Sequence, residues 1–313
     1  MSKNMDKPTG RVLVTGALGQ IGTELVEALR KKYGNDRVVA TDIREAKGCR
    51  LLDVMNKEKV EYLVKEEEIT EIYHLAALLS ATGEKNPELC WEINVGGLEN
   101  IIYVAKKYDC RIFSPSSIAV FGPDCPKKAP QITPLNPSTV YGKTKVLGEK
   151  LAMTSGIDIR GIRYPGLISY KAPAGGGTTD YAVEIFHAAL ETGHYECFVR
   201  EDTRLPMMYM DDAIRATLEL MDMPVEHLNE ENRGGYNISG CSFTAGELVQ
   251  SILRHLPDFT CIFKPDIRQE YADSWPNEVD DIVAQNEWGW SAKFSLDKIV
   301  DEMIQNLVKN EDS

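Results

Sequence analysis

At 313 residues, with 43% hydrophobic and 27% charged side chains, the chain can bury a full core without staples, as one large domain or two unequal ones. Its formal charge of −13 opposes nucleic acid and anionic lipid, which both select clustered Lys and Arg, and no apolar run approaches the roughly 20 residues that span a bilayer. Residues 1–10 lack both the apolar core of a secretory signal and the Arg content of a mitochondrial presequence, which predicts a cytoplasmic protein, and seven scattered cysteines and five dispersed histidines predict reduced thiols and no metal.

In chain order, 11–15 is a short apolar run, followed by a glycine turn and by Ile21, Leu25, Ala28 and Leu29 at helical spacing, which reads as strand, loop, helix. Strands are predicted at 38–41, 71–75, 111–114 and 159–163, separated by helical stretches such as 89–107 and 143–154. Such alternation predicts an α/β fold with a doubly wound parallel sheet, because parallel strands need crossovers that return the chain to the same edge. After about Pro165 the pattern loosens into Gly175-Gly176-Gly177, an amphipathic helix at 181–191 and shorter elements. The expected division is a dinucleotide-binding domain over 1–165 with a return strand near 234–240, and a smaller, interleaved substrate-binding cap over 166–313. The charged tail at 309–313 is expected to fray.

The stretch Gly16-Ala17-Leu18-Gly19-Gln20-Ile21-Gly22 lies between the first strand and the first helix. There glycines let backbone amides approach a pyrophosphate at the positive end of the helix dipole, although a glycine triplet alone fits any tight turn. Asp42, twenty residues beyond Gly22 at the end of the second strand, suits a ribose diol and repels a 2′-phosphate, which makes the expected cofactor NAD. Neighbouring Arg44 keeps some tolerance of NADP open. Asp53, after another short apolar pair, is positioned to meet the adenine amino group.

Tyr141 and Lys145 stand four apart at the start of a predicted helix, so both side chains lie on one face. Bringing a tyrosine from its usual pKa of ~10 to about 7 takes ~4 kcal/mol of preferential phenolate stabilisation, which an adjacent ammonium and an oxidised nicotinamide can supply. Ser116-Ser117 follows a strand, and Ser117 precedes Tyr141 by 24 residues. A hydroxyl at a strand's carboxyl end belongs in the cleft of such a sheet. The order glycine turn, Asp42, Ser117, Tyr141, Lys145 points to hydride-transfer chemistry with a phenolic base.

These motifs, with His74-Leu75-Ala76-Ala77 and Asn94, make the chain resemble the extended short-chain dehydrogenases over essentially its full length. Within them, PSSIAVFG at 115–122, NPSTVYG at 136–142, YPGLIS at 164–169, GGGTTDYA at 175–182, LPMMYM at 205–210 and DSWP at 273–276 are similar to the short-chain L-threonine 3-dehydrogenases. The resemblance implies NAD-dependent oxidation of the β-hydroxyl of L-threonine to 2-amino-3-oxobutanoate. It further implies Tyr141 as general base, Ser117 as the hydrogen-bond partner of the reacting oxygen, and Lys145 on the nicotinamide ribose. Gly16, Gly19, Gln20, Ile21, Gly22, Asp42, Asp53, Val54, Leu75, Ala76, Ala77, Asn94, Tyr141, Lys145, Tyr164 and Pro165 are the implied cofactor residues. Ser80, Ser117, Tyr141, Gly177, Thr178, Thr179 and Trp275 are the implied substrate residues, with the glycine triplet as a hinge that orders on binding.

Arg204, seven residues before Asp211, has the spacing of an arginine that contacts the diphosphate in sugar-nucleotide epimerases and dehydratases, although the apolar Leu205-Pro206-Met207-Met208 run that follows offers little to a charged nucleotide. A non-catalytic NAD-sensing regulator is the second alternative, and the intact Ser117, Tyr141 and Lys145 set argues against it. The resemblance also implies a homodimer built from helices 89–107 and 143–154. Ile93, Val95, Leu98, Ile101, Ile102 and Ala105 give the first of these more apolar surface than one sheet face requires.

Overall fold

The computed structural model of the chain describes residues 10–172 and 174–311. The expected polar start at 1–9, residue 173 and the last two residues of the expected tail lie outside them; the helix Leu296–Glu311 continues into that tail.

Six strands form the central sheet: β1 (Arg11–Thr15), β2 (Val38–Asp42), β3 (Arg50–Leu51), β4 (Ile69–His74), β5 (Arg111–Phe113) and β6 (Ile159–Arg160). They lie in the order β3-β2-β1-β4-β5-β6, every neighbour parallel. This is the doubly wound order, in which the chain reverses direction beside β1 and opens a crevice at the strands' carboxyl ends. Alternation along β1 shows why both faces are apolar. Val12 and Val14 pack with Leu25 and Leu29 of α1 (Gln20–Tyr33) and with Ala213, while Leu13 packs against Val60 of α2 (Lys57–Glu66) and Ile101 and Ala105 further on.

The helical stretch expected at 89–107 is segmented. After α3 (Ser80–Lys85) come α4 (Pro87–Trp91), a π-helical turn at Glu92–Gly96 and α5 (Gly97–Tyr108). The next, α6 (Val140–Thr154), starts three residues before the expected position because the Thr139 hydroxyl accepts the Gly142 N–H at 3.1 Å and caps it.

The single strand expected at 159–163 is broken. Gly161 donates to the Arg233 carbonyl and accepts from the Tyr236 N–H, so the chain leaves β5 there. Ile162–Tyr164 then pairs with Ser116–Ser117 on one side and with the returning strand Tyr236–Asn237 on the other, where a late strand was expected. Beyond it, Gly166–Ile168, Arg204–Tyr209 and Cys241–Thr244 form a three-stranded sheet. With the helix Tyr181–Glu191, these elements enclose a further core around Phe186, Phe198, Phe243 and Leu248. Among the described residues no helix is long and apolar enough to cross a membrane, and no cluster of three or more His, Cys, Asp or Glu is arranged to hold a metal ion.

Candidate active site

The turn between β1 and α1 is shaped by steric necessity. Gly16 has φ +69°, and a β-carbon there would stand 2.7 Å from the Ala76 nitrogen; one on Gly22 would stand 2.2 Å from the Gly16 carbonyl oxygen. Only backbone fits, so the turn lies close against the end of β4. Gly19 caps α1 without a side-chain hydrogen bond, which leaves the helix's first amides to a ligand. Beside them the Gln20 amide nitrogen is buried with no partner. An uncapped helix N-terminus, a glycine cradle and an orphaned donor together suit a pyrophosphate.

Asp42 stands at the end of β2, almost fully buried. It accepts the Leu18 N–H at 3.0 Å, the Arg44 N–H at 3.0 Å and Arg44 Nε at 3.1 Å. Burial raises its pKa, but the Arg44 and Leu18 hydrogen bonds outweigh this and hold the carboxyl below its usual range. It is therefore an anion at neutral pH, fixed to the same turn that faces the cradle.

A cavity of about 220 Å³ joins this cradle to Ser117, Tyr141 and Lys145. Gly16, Gly19, Gln20, Ile21, Gly22, Leu75, Ala77, Ser80, Ser117, Tyr141, Lys145, Tyr164, Pro165, Gly177, Thr178, Thr179 and Trp275 all line it. Ser117, from the short strand after β5, faces Tyr141 from the first turn of α6 across this cavity. Lys145 Nζ donates to the Pro115 carbonyl at 2.8 Å and lies 5.6 Å from the centre of the Tyr141 ring. The depression of the Tyr141 pKa was expected from the ammonium together with a bound oxidised nicotinamide, and the free protein shows the effect of burial. Burial pushes the phenol up to about 12, with the Ser117 hydroxyl opposing. Burial also brings Lys145 down to about 8, against the influence of Cys90 and Glu149.

Opposite chemistry comes from hydroxyls. Ser80, the first residue of α3, and Thr178 are both buried, with their oxygens 3.4 Å apart. Trp275 contributes a largely buried indole. The glycine triplet is tethered at its second and third residues, since Gly176 accepts from the Ala81 N–H and Asp180 accepts the N–H groups of Gly176 and Gly177.

Several expected residues lie outside this cavity. Ala76 and Asn94 border a narrow adjoining crevice, where Asn94 clamps the Leu78 backbone through its N–H (2.8 Å) and carbonyl (3.1 Å) and donates to Thr144. Asp53 is exposed and accepts the Met55 N–H, and Val54 packs against Gly97. The Tyr164 hydroxyl is engaged with Thr217, so only the ring and backbone of Tyr164 face the cavity. Arg204 is committed to the Ser242 carbonyl and to Glu247, outside the cavity. A larger, open hollow of about 1150 Å³ elsewhere includes Arg200 and Arg254, whose guanidiniums are paired with Asp273 and Asp297.

Sequence reasoning missed the support beneath Ser117, Tyr141 and Lys145. Glu149, one turn beyond Lys145, forms a buried two-point ion pair with Arg163 (2.9 and 2.8 Å) and accepts from Ser116. Spacing along α6 gave one signal, the shared face of Lys145 and Glu149; Arg163 gave none. Asp180 was missed as well, because an acid before a helix reads as a cap.

The model of the NAD-dependent epimerase/dehydratase family matches residues 12–239, most of the chain. This protein belongs to that family. Its cofactor is NAD, in agreement with the glycine cradle, the orphaned Gln20 donor and the Asp42 anion. An uncharacterized epimerase/dehydratase of Staphylococcus haemolyticus (strain JCSC1435) is 44% identical over 315 residues, spanning 96% of this chain and 98% of the relative. Among solved structures, a monomeric L-threonine 3-dehydrogenase from a metagenome, in apo form, superposes with a TM-score of 0.92 at 55% identity, covering 96% of this chain and 99% of that one. The GalE-like L-threonine dehydrogenase of Cupriavidus necator, in holo form, gives a TM-score of 0.91 at 45% identity over 95% of this chain and 99% of that one.

Proposed function

We propose that the chain oxidises the β-hydroxyl of L-threonine to 2-amino-3-oxobutanoate, with NAD as hydride acceptor. The observation that carries this reading is the joining of Ser117, Tyr141 and Lys145 with Ser80, Thr178, Thr179 and Trp275 in one cavity of about 220 Å³. The hydroxyls of Ser80, Thr178 and Thr179 and the Trp275 indole are the few placed polar groups and the apolar wall that suit a small polar substrate. The solved neighbours named L-threonine 3-dehydrogenases support the same choice.

In this reading the glycine turn and Gln20 hold the pyrophosphate. Asp42, Asp53 and Val54 serve the adenosine end, and Leu75, Ala76, Ala77, Asn94, Tyr164 and Pro165 serve the nicotinamide end. Tyr141 takes the proton of the β-hydroxyl as hydride leaves the β-carbon, and Ser117 holds the reacting oxygen within ~3 Å of the phenol. Lys145 binds the nicotinamide ribose, and its ammonium favours the phenolate. The hydroxyls of Ser80, Thr178 and Thr179 meet the amino acid's polar groups, with Trp275 closing the pocket. Arg204 takes no part, since its guanidinium is engaged elsewhere.

We assign the dinucleotide to 1–165 with the return strand, and the substrate side to 166–313. The assembly we propose is a homodimer through helices 89–107 and 143–154, working in the cytoplasm.

L-Threonine deuterated at C3 tests the chemistry. Transfer of the label into reduced cofactor is expected. Unlabelled reduced cofactor would exclude the β-carbon as the hydride source.

A further inference from the structure

Among the side chains that line the cavity, one is a carboxylate, Asp180, and one is a cation, Lys145. Asp180 is 7% exposed, and its Oδ2 accepts the N–H groups of Gly176 and Gly177, each at 2.7 Å. Its Oδ1 lies beside Gly177, 2.8 Å from where a β-carbon on that glycine would stand. The carboxylate is thus held by backbone N–H groups, with no guanidinium or ammonium paired to it among the described residues.

We propose that Asp180 is the counter-charge for the substrate's α-ammonium, so that the site selects β-hydroxy acids bearing an amino group. This rests on the threonine reading above. An ammonium entering a mostly apolar-lined cavity that already contains Lys145 is opposed both by desolvation and by like charge, and a buried cation without a partner is strongly disfavoured. The hydroxyls of Ser80, Thr178 and Thr179 can meet a carboxylate but bring no negative charge. Asp180 brings one, at the base of the loop those threonines belong to. Burial pushes its carboxyl up and neighbouring Glu184 adds to this, while the Gly177 and Gly176 N–H groups oppose them. A bound cation offsets the strain of keeping that carboxylate ionised. Two contributions then come from one side chain: the tether that shapes the loop and the charge that reads the ligand.

Two variants separate them. Asp180→Asn keeps an oxygen that accepts both glycine N–H groups and deletes the charge, whereas Asp180→Ala removes both. The substrates are L-threonine and (R)-3-hydroxybutyrate, which has the same configuration at the reacting carbon and no ammonium; it is measured by turnover or, below detection, by its Ki against L-threonine. Asp180→Asn is expected to lose roughly 10- to 100-fold in kcat/KM for threonine, the loss of one charge-assisted contact, with less than about a threefold change for the hydroxybutyrate. NADH affinity, read by fluorescence titration, stays unchanged, and Asp180→Ala weakens both substrates. Equal losses for Asp180→Asn on the two substrates overturn the counter-charge and leave only the tether. Absence of threonine turnover by the wild-type protein overturns the threonine reading itself, and this inference with it.

Discussion

Burial pushes the Tyr141 phenol up to about 12 in the free protein, so its activation belongs to the assembled complex. Replacing Tyr141 with Phe deletes one hydroxyl from a buried ring; kcat should fall at least 100-fold while NADH titration gives the wild-type affinity. Lys145 shapes the pH profile. Activity rises with pH as the base loses its proton, and the apparent pKa belongs to the Tyr141–Lys145 pair. Lys145→Met withdraws the ammonium that favours the phenolate and moves that limb to higher pH, by about one unit or more; an unmoved limb contradicts the role. His74 offers an independent check on burial. It lies at the end of β4, hydrogen-bonded to Thr15 at 2.9 Å, and burial, then the Lys145 charge, brings its pKa down to about 3. The unfolded chain takes up this proton near pH 6.5 and the native state does not, so its share of stability is present above that pH and lost as pH falls toward 3, at up to ~1.4 kcal/mol per unit. Urea unfolding at pH 7, 6 and 5 should show the slope, and His74→Gln should flatten it.

Motifs contained in one element were the readable part of the site. Tyr141 and Lys145 share the first turns of α6, and Gly16 to Gly22 occupy a single turn, so spacing alone carries their geometry. The contacts that arm them were not readable, because they close over long stretches of chain. Lys145 leans on the Pro115 carbonyl, Glu149 on Arg163, and Asp180 on a loop that α3 also holds. Element boundaries failed where backbone bonds to distant segments intervene, as at Gly161, which breaks the strand expected at 159–163. The glycine turn gives the sharpest test at this scale. A β-carbon on Gly22 collides with backbone and not with a yielding side chain, so Gly22→Ala should lose NADH affinity at least tenfold and lower Tm by a few degrees, on the order of 1–3 kcal/mol of overpacking. Wild-type affinity in that variant removes the close-approach argument.

Across the molecule, the alternation of apolar runs and helical stretches was enough to read a doubly wound sheet, because strands buried on both faces cannot hide in the pattern. Assembly was harder to read. Leu98, Ile101, Ile102 and Ala105, counted as surplus apolar surface, are buried in the chain's own core, and the exposed apolar groups on these helices are Leu89, Trp91, Tyr103 and Met153. Light scattering behind size exclusion should give twice the chain mass at micromolar concentration, and the mass of a single chain counts against the dimer. The central claim is tested most directly by absorbance at 340 nm with purified protein, NAD and L-threonine at mildly alkaline pH, with L-serine and UDP-glucose in parallel. A rise with L-threonine and none with UDP-glucose is the predicted result, whereas silence with L-threonine would contradict the account.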